Sequence, residues 1–165
     1  SVATVHKHVD NLRRKGLVRK VWNANRSLDL TPAALSVRAI RLPLAGRVAA
    51  GQPIEAVEER EVIAVPADMV GRSECFVLQV SGDSMIDEQV RHGDFVVLEK
   101  RGRVPHDGEM VVALVDGQEA TLKKFFKDGE TVRLEPANRT MKTLVLPAGK
   151  VKIQGVVVGL LRRYD

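Results

Sequence analysis

The chain has 165 residues, of which 44% are hydrophobic and 4% aromatic, and its formal net charge is +5. This hydrophobic content is sufficient for a packed core, so composition excludes a disordered tail. The few aromatic residues argue against a protein that binds single strands by stacking bases on aromatic side chains. Because no apolar run approaches the roughly 20 residues of a membrane-spanning helix, we expect no membrane association and a cytoplasmic location.

Positive charge is concentrated at the N-terminal end of the chain. Residues 1–38 contain eight Lys and Arg and two Asp, a net charge of +6, whereas the remaining residues have a net charge of −1. A basic arm on a nearly neutral body predicts a polyanionic partner for the arm alone. A solvated basic helix would have the same composition, so charge by itself leaves both interpretations open.

Residues 1–30 are typical of the second half of a winged helix-turn-helix, a DNA-binding module. An apolar stripe at helical spacing predicts a helix; it consists of Val2, Val5, Val9 and Leu12. Gly16 is expected to end this helix. Two strands, 17–22 and 27–30, are predicted to flank a turn at 23–25 and to form the wing.

In a winged module the second helix enters the major groove, led by its N-terminal residues. The expected DNA contacts are therefore Ser1, Ala3, Thr4 and Lys7 of the helix and Arg26 at the hairpin tip. Two earlier helices would be needed to cover the apolar stripe. We expect these helices to lie outside this sequence, and we expect the chain alone to bind DNA weakly.

The rest of the sequence predicts a mainly-β domain over residues 42–165, joined to the arm by a linker at 31–41. Apolar runs separated by turn signals predict short strands; the runs are 76–80, 95–100, 110–115, 120–126, 131–134 and 151–161. Asp-Gly between two such runs, as at 107–108, 116–117 and 128–129, predicts a hairpin. The predicted fold class is thus α+β with two domains, the second a sandwich or barrel-like sheet. The single Cys75 lies in an apolar run and is interpreted as a buried structural thiol. Scattered His residues without metal-ligand spacing predict no metal and no cofactor.

Ser84 is the strongest candidate nucleophile. The segment Gly82-Asp83-Ser84-Met85 follows a predicted strand and precedes a short helical stretch at 86–91, so the serine is expected at an exposed turn. Backbone N–H groups there, including that of Met85, could stabilise an oxyanion. No His is in a position to act as its base, but a buried lysine can serve that purpose. Strand alternation places Lys123 and Lys124 on opposite faces, and periodicity does not decide which of them faces inward.

Three motifs in order resemble the LexA-type family of self-cleaving repressors, which also includes phage repressors and mutagenesis proteins of the UmuD type. They are Leu42-Pro43-Leu44-Ala45-Gly46-Arg47-Val48-Ala49-Ala50-Gly51, Val80-Ser81-Gly82-Asp83-Ser84-Met85 and Glu119-Ala120-Thr121-Leu122-Lys123-Lys124. The resemblance implies cleavage between Ala50 and Gly51, with Ser84 as nucleophile, Lys123 as base and Lys124 solvated. The family commonly has another residue at Asp83, and residues 54–62 are unusually acidic here.

The resemblance also implies a biological role. It predicts a homodimeric repressor of DNA-damage (SOS) genes that binds a palindromic double-stranded operator and cleaves itself when stimulated by the RecA filament on single-stranded DNA. Four alternatives stay open: a phage-type repressor, a UmuD-like accessory of a translesion polymerase, a signal peptidase, and a DNA-binding module without enzymatic activity. The basic arm argues against the UmuD-like protein, and the lack of an anchor argues against the signal peptidase.

Overall fold

The structure is a computed structural model that describes residues 2–20, 28–31, 39–55, 61–71 and 73–164. The chain divides into two compact units, residues 1–39 and 40–165. Several predicted features lie outside the described residues: Ser1, Arg26, the turn at 23–25 and most of the linker at 31–41. Among the described residues, no helix is long and apolar enough to cross a membrane.

The first unit contains one helix and one hairpin in its described part. Helix α1, Val2–Arg14, ends because Gly16 adopts φ +68°, a conformation that glycine takes without strain. The hairpin pairs β1, Val18–Lys20, with β2, Leu28–Leu30, in antiparallel register. The apolar stripe on α1 is largely exposed, with Val2 at 77% and Val5 at 62%. Helix and hairpin agree with the sequence prediction, and the complete winged helix-turn-helix stays a prediction.

The second unit is mainly β. Its described strands are β3 Ala39–Ala49, β4 Val62–Pro66, β5 Cys75–Ser81, β6 Phe95–Glu99, β7 Met110–Val115, β8 Glu119–Asp128, β9 Thr131–Glu135, β10 Leu144–Pro147 and β11 Val151–Leu161. The described part of this unit also contains three single-turn 3-10 helices, at Ala67–Met69, Ile86–Glu88 and Ala148–Lys150. The predicted mainly-β domain is therefore confirmed.

The described strands form one nine-stranded sheet in the order β10-β9-β8-β7-β11-β6-β5-β3-β4. A single apolar cluster contains residues of strands that are far apart in this order, which shows that the sheet curls. That cluster contains Val48 of β3, Leu78 of β5 and Leu122 of β8. Curling buries one sheet face against itself and brings the start of β8 toward the ends of β3 and β5.

Turn chemistry fixes the hairpins on either side of β8. Asp116 and Gly117 both adopt positive φ, +47° and +75°, as a type I′ turn between β7 and β8 requires. Gly129, at φ +59°, lies in the turn between β8 and β9. These two Asp-Gly signals predicted their hairpins correctly. The prediction from Asp107-Gly108 was wrong, because β11 lies between β6 and β7 in the sheet.

Strands β3, β4 and β10 were not predicted from the sequence. Pro43 and Gly46 interrupt β3, and both residue types are disfavoured inside strands. Strand β10 is short and mostly exposed, so it lacks the apolar run of a buried strand. The helical stretch predicted at 86–91 is shorter in the structure, because Gln89 adopts φ +61° and ends the turn.

Gly46 is required where β3 meets the chain that returns beside it. It adopts φ +147°, and a Cβ there would lie 2.3 Å from the Glu55 carbonyl oxygen, next to the antiparallel bridge between Arg47 and Glu55. We expect Gly46→Ala to lower the free energy of unfolding by at least about 2 kcal/mol, measured by urea denaturation. Gly149→Ala is the control, since no atom lies within 4 Å of its Cβ position. Equal stability of the two variants would contradict this account.

Candidate active site

Two turns emerge side by side at one end of the sheet. The small-residue turn, residues 49–53, follows β3, and the serine turn, residues 82–85, follows β5. Strands β3 and β5 are parallel, with Ala49 paired with Ser81. Because parallel strands have their carboxyl ends at the same edge, the candidate scissile residues and the candidate nucleophile leave the sheet together.

The first half of β8 has an edge that no described strand covers. Residues 119–124 of β8 pair with β7 on one side, whereas β9 pairs with β8 only from Lys124 onward. The small-residue turn occupies this edge, where the Ala120 N–H donates to the Gln52 carbonyl oxygen at 2.7 Å. Since the bridge is antiparallel, the chain runs from Gln52 back through Gly51 and Ala50 in the direction of Lys123.

Ser84 and Lys123 meet at one carbonyl group on that edge. The Ser84 Oγ donates to the Leu122 carbonyl oxygen at 3.3 Å, and the Lys123 Nζ donates to the same oxygen at 3.0 Å. The Lys123 Nζ also donates to the Thr121 Oγ1 at 2.9 Å. The hydroxyl and the amine therefore share an acceptor, and both are adjacent to the edge that the small-residue turn occupies.

Burial favours the neutral form of Lys123, which a base requires. Its side chain is only 3% exposed, and the resulting desolvation of the ammonium lowers the pKa of Lys123 from 10.5 to about 8. In the neutral amine, two N–H groups can donate to Thr121 Oγ1 and Leu122 O. The nitrogen lone pair is then free to accept a proton. Lys124, on the opposite face, is partly exposed and forms an ion pair with Glu88.

A cavity of about 450 Å³ lies between the small-residue turn and β8. Ala50 and Gly51 form one wall, Thr121 and Lys123 another, and the segment 141–146 contributes apolar side chains. Gly51 adopts φ +74°, so glycine is favoured at this point of the turn. The cavity thus brings three sequence-predicted residues together: Ala50, Gly51 and Lys123.

The serine turn has backbone groups suited to an oxyanion. Within the described part of the chain, the N–H groups of Asp83, Ser84 and Met85 donate to no other residue. The Met85 side chain is 1% exposed and packs in the core beside Val90. Its side chain therefore anchors the turn, while the N–H groups around Ser84 are available as donors.

The residues that hold the serine turn were not predicted from the sequence. The His92 Nδ1 accepts from the Gly82 N–H at 3.2 Å, and the Asn138 Nδ2 donates to the Asp83 carbonyl oxygen at 2.9 Å. No motif in the sequence pointed to Asn138.

Beyond the turn, Asp94 is 1% exposed and is bound by two nitrogens of Arg162 at 2.6 and 2.7 Å. Burial opposes ionisation of Asp94, but its hydrogen bonds and the nearby positive charges outweigh this effect and lower its pKa.

The predicted DNA contacts belong to the first unit. Ala3, Thr4 and Lys7 are exposed on α1. Ser1 and Arg26 lie outside the described residues.

Lys123 should destabilise the fold at neutral pH. Below about pH 8 the folded state buries a charged amine, so we expect Lys123→Met to raise the free energy of unfolding at pH 7 by about 2 kcal/mol. The chain with Lys123 and the Lys123→Met variant should both carry Ser84→Ala, so that no reaction of Ser84 alters the sample. Between pH 8 and 10.5 the unfolded state binds more protons than the folded state, so the stability of the chain with Lys123 should rise and the difference should disappear. Urea denaturation at several pH values measures this.

Lys124→Met is the matched control for that experiment. Lys124 lies on the opposite face of β8 and is not buried, so its replacement should not reproduce the gain at pH 7 expected for Lys123→Met. A similar pH dependence for both variants would contradict the assignment of the inward-facing amine to Lys123.

Comparison with known proteins agrees with this architecture. The family model described as peptidase S24-like matches residues 43–158. The LexA repressor of Koribacter versatilis is 49% identical over 174 residues, which cover 99% of this chain and 82% of the relative. The LexA repressors of Syntrophotalea carbinolica and Caldicellulosiruptor saccharolyticus are 47% and 43% identical, each over 99% of this chain and 80% of the relative. The chain therefore belongs to the LexA repressor family, and its sheet domain is of the peptidase S24-like type.

Proposed function

We propose that this LexA-type repressor inactivates itself by cutting its own Ala50–Gly51 bond, with Ser84 as nucleophile and Lys123 as general base. The observation that carries the proposal is the shared contact of the Ser84 Oγ and the Lys123 Nζ with Leu122 O, beside the edge of β8 that pairs with Gln52. The peptidase S24-like family of residues 43–158 supports a peptidase reaction. The names of the relatives support a repressor.

The proposed chemistry begins with a neutral Lys123. The Ser84 hydroxyl rotates from Leu122 O to the lysine lone pair and transfers its proton, and the Oγ attacks the Ala50 carbonyl carbon. Backbone N–H groups of the serine turn stabilise the oxyanion that forms. The bond to the Gly51 nitrogen then breaks, and this nitrogen takes the proton from the Lys123 ammonium. Water, deprotonated by Lys123, hydrolyses the acyl-enzyme and releases Ser84.

The small-residue turn is a substrate built into the chain. Ala50 and Gly51 have little side-chain volume, so the turn can approach β8 closely, and the hydrogen bond between Ala120 and Gln52 fixes its register. Holding the bond beside the nucleophile supplies the proximity that a separate substrate would have to gain by binding. Docking also shields the Lys123 amine from water and thereby favours the neutral form that the reaction needs.

The proposed biological role is repression of DNA-damage (SOS) genes. In this proposal α1 and the hairpin belong to a winged helix-turn-helix in which Ala3, Thr4 and Lys7 approach DNA, and a homodimer binds a palindromic operator. Cleavage separates this unit from the sheet domain and so reduces operator affinity. The RecA filament on single-stranded DNA would stimulate cleavage by binding the docked form of the turn more tightly than the undocked form. The basic charge of residues 1–38 supports the DNA-binding part of this proposal, and the proposed location is the cytoplasm.

The relatives also bear on the alternative functions. Each of the three LexA repressors aligns with 99% of the chain, so the similarity includes residues 1–39 as well as the sheet domain. A UmuD-like accessory protein would share only the peptidase domain. The comparison therefore favours a repressor over that alternative.

Self-cleavage should accelerate with pH. Since the reaction needs neutral Lys123, whose pKa is about 8, the rate should rise about tenfold from pH 7 and level off near pH 10. Incubation of the purified chain at each pH, followed by mass spectrometry of the fragments, should reveal a single cut after Ala50. Ser84→Ala and Lys123→Ala should remain intact, whereas the neighbouring controls Ser81→Ala and Lys124→Ala should be cut. A rate independent of pH, or fragments from Ser84→Ala, would refute the proposed dyad.

Charge at position 51 should control docking of the turn. A Cβ at Gly51 would lie 4.0 Å from the Glu119 Oε2, so an added carboxylate would meet a like charge. Asn tolerates the positive φ of Gly51 better than most residues, and we expect Gly51→Asn to be cut at least about tenfold faster than the isosteric Gly51→Asp. Glu119→Gln should restore part of the rate of Gly51→Asp. Equal rates for the Asn and Asp variants would mean that the turn reacts from another position.

A further inference from the structure

We propose that Asn138 is a positioning residue for Ser84: its side-chain amide fixes the Asp83–Ser84 peptide and thereby orients the Ser84 N–H toward the reacting carbonyl. The inference rests on the self-cleavage proposed above and assigns a new residue to that site. Asn138 is not part of the three sequence motifs, and it follows β9 rather than any strand that carries the dyad.

The contacts of Asn138 determine which way its amide group faces. The Nδ2 donates to the Asp83 carbonyl oxygen at 2.9 Å. The Oδ1 accepts from the Thr140 N–H at 2.9 Å and from the Thr140 Oγ1 at 2.8 Å. Because a backbone N–H can only donate, the atom facing Thr140 must be the oxygen, and the amino group must face Asp83.

Asn138 is itself held firmly against the serine turn. The preceding residue, Ala137, accepts from the Asp87 N–H at 2.8 Å, and its own N–H donates to the Met85 Sδ at 3.4 Å. The segment therefore contacts the chain before Ser84 through Asp83 and after Ser84 through Met85 and Asp87. These contacts bracket the nucleophile and restrict rotation of the peptide groups on both sides of it.

Fixing the Asp83 carbonyl also fixes the Ser84 N–H. In a trans peptide the C=O and the N–H point in opposite directions, and the described residues contain no cis peptide bond. The Asp83 carbonyl is bound by Asn138 and by the Ile86 N–H at 3.2 Å, so the Ser84 N–H is directed away from both. This N–H donates to no other described residue and is available to a developing oxyanion, whose stabilisation depends strongly on donor geometry.

The same segment continues into the wall of the cavity. Met141, Lys142 and Leu144 line the space next to Ala50 and Gly51. Residues 137–146 thus contact the serine turn at one end and face the candidate scissile bond at the other. Asn138 therefore orients the Ser84 N–H relative to the cavity wall that faces the Ala50–Gly51 bond.

The test compares self-cleavage of Asn138→Asp with that of the original chain. This substitution keeps the size of the side chain and an acceptor for Thr140, but it replaces the donor to Asp83 by an oxygen. We expect the plateau rate at alkaline pH to fall about 100-fold. The midpoint of the pH profile should stay near 8, because the burial that sets the pKa of Lys123 is unchanged. Asn138→Ala removes the donor without adding charge and should give a loss of similar size.

Thr140→Val is the matched control. It removes one donor to the Asn138 Oδ1 but keeps the Thr140 N–H and the bond to Asp83, so its rate should stay within about threefold of the original. The melting temperature of each variant shows whether it is folded.

Distinct outcomes separate this inference from the proposed function. If both folded Asn138 variants cleave within about twofold of the original rate, or if the midpoint of the pH profile moves while the plateau is kept, the positioning role is overturned. Loss of folding in both variants would also overturn it, since Asn138 would then be needed for the fold itself. Failure of the original chain to cut after Ala50 would instead reject the self-cleavage on which the inference depends.

Discussion

The site depends on one buried amine. Lys123 lies in β8, and its Nζ donates hydrogen bonds to the Thr121 Oγ1 and the Leu122 carbonyl oxygen. Desolvation lowers the pKa of Lys123 to about 8. An exposed lysine would be charged at neutral pH and could not accept a proton. Burying a charged amine costs stability, so the fold tolerates at this position a residue that weakens it. That cost is the physical basis for the reactivity we assign to the site.

Sheet topology brings the other two components to this amine. Parallel pairing of β3 with β5 places the small-residue turn beside the serine turn, and the curl of the sheet brings β8 to both. Because β9 pairs with β8 only from Lys124 onward, the first half of β8 keeps an edge to which Gln52 binds. The proposed substrate, nucleophile and base therefore come from three separate parts of the chain.

The serine turn is held by contacts on several sides. Gly82 is bound by His92 and Asp83 by Asn138. Beyond the turn, the Asp94 carbonyl oxygen accepts from the Val80 N–H at the end of β5, and the buried Asp94 carboxylate pairs with Arg162. Polar groups dominate these contacts, as a tight turn requires, since its backbone groups lack the partners that a sheet would provide. Rigid support of this kind is what keeps a nucleophile and its oxyanion donors in a productive geometry.

Local patterns determined much of the fold and named the residues of the candidate site. Spacing predicted α1 and six strands of the sheet, Asp-Gly signals predicted two hairpins, and motif resemblance singled out Ala50, Gly51, Ser84 and Lys123. Strand β3 was missed because Pro43 and Gly46 interrupt its pattern, and only pairing with β5 makes it a strand. Alternation could not choose between Lys123 and Lys124, since it separates two faces without saying which is buried. The tertiary structure buries Lys123 rather than Lys124 and brings His92, Asn138 and Arg162 to their partners. Sequence patterns do not show this, because burial and long-range hydrogen bonds arise only when distant segments pack together.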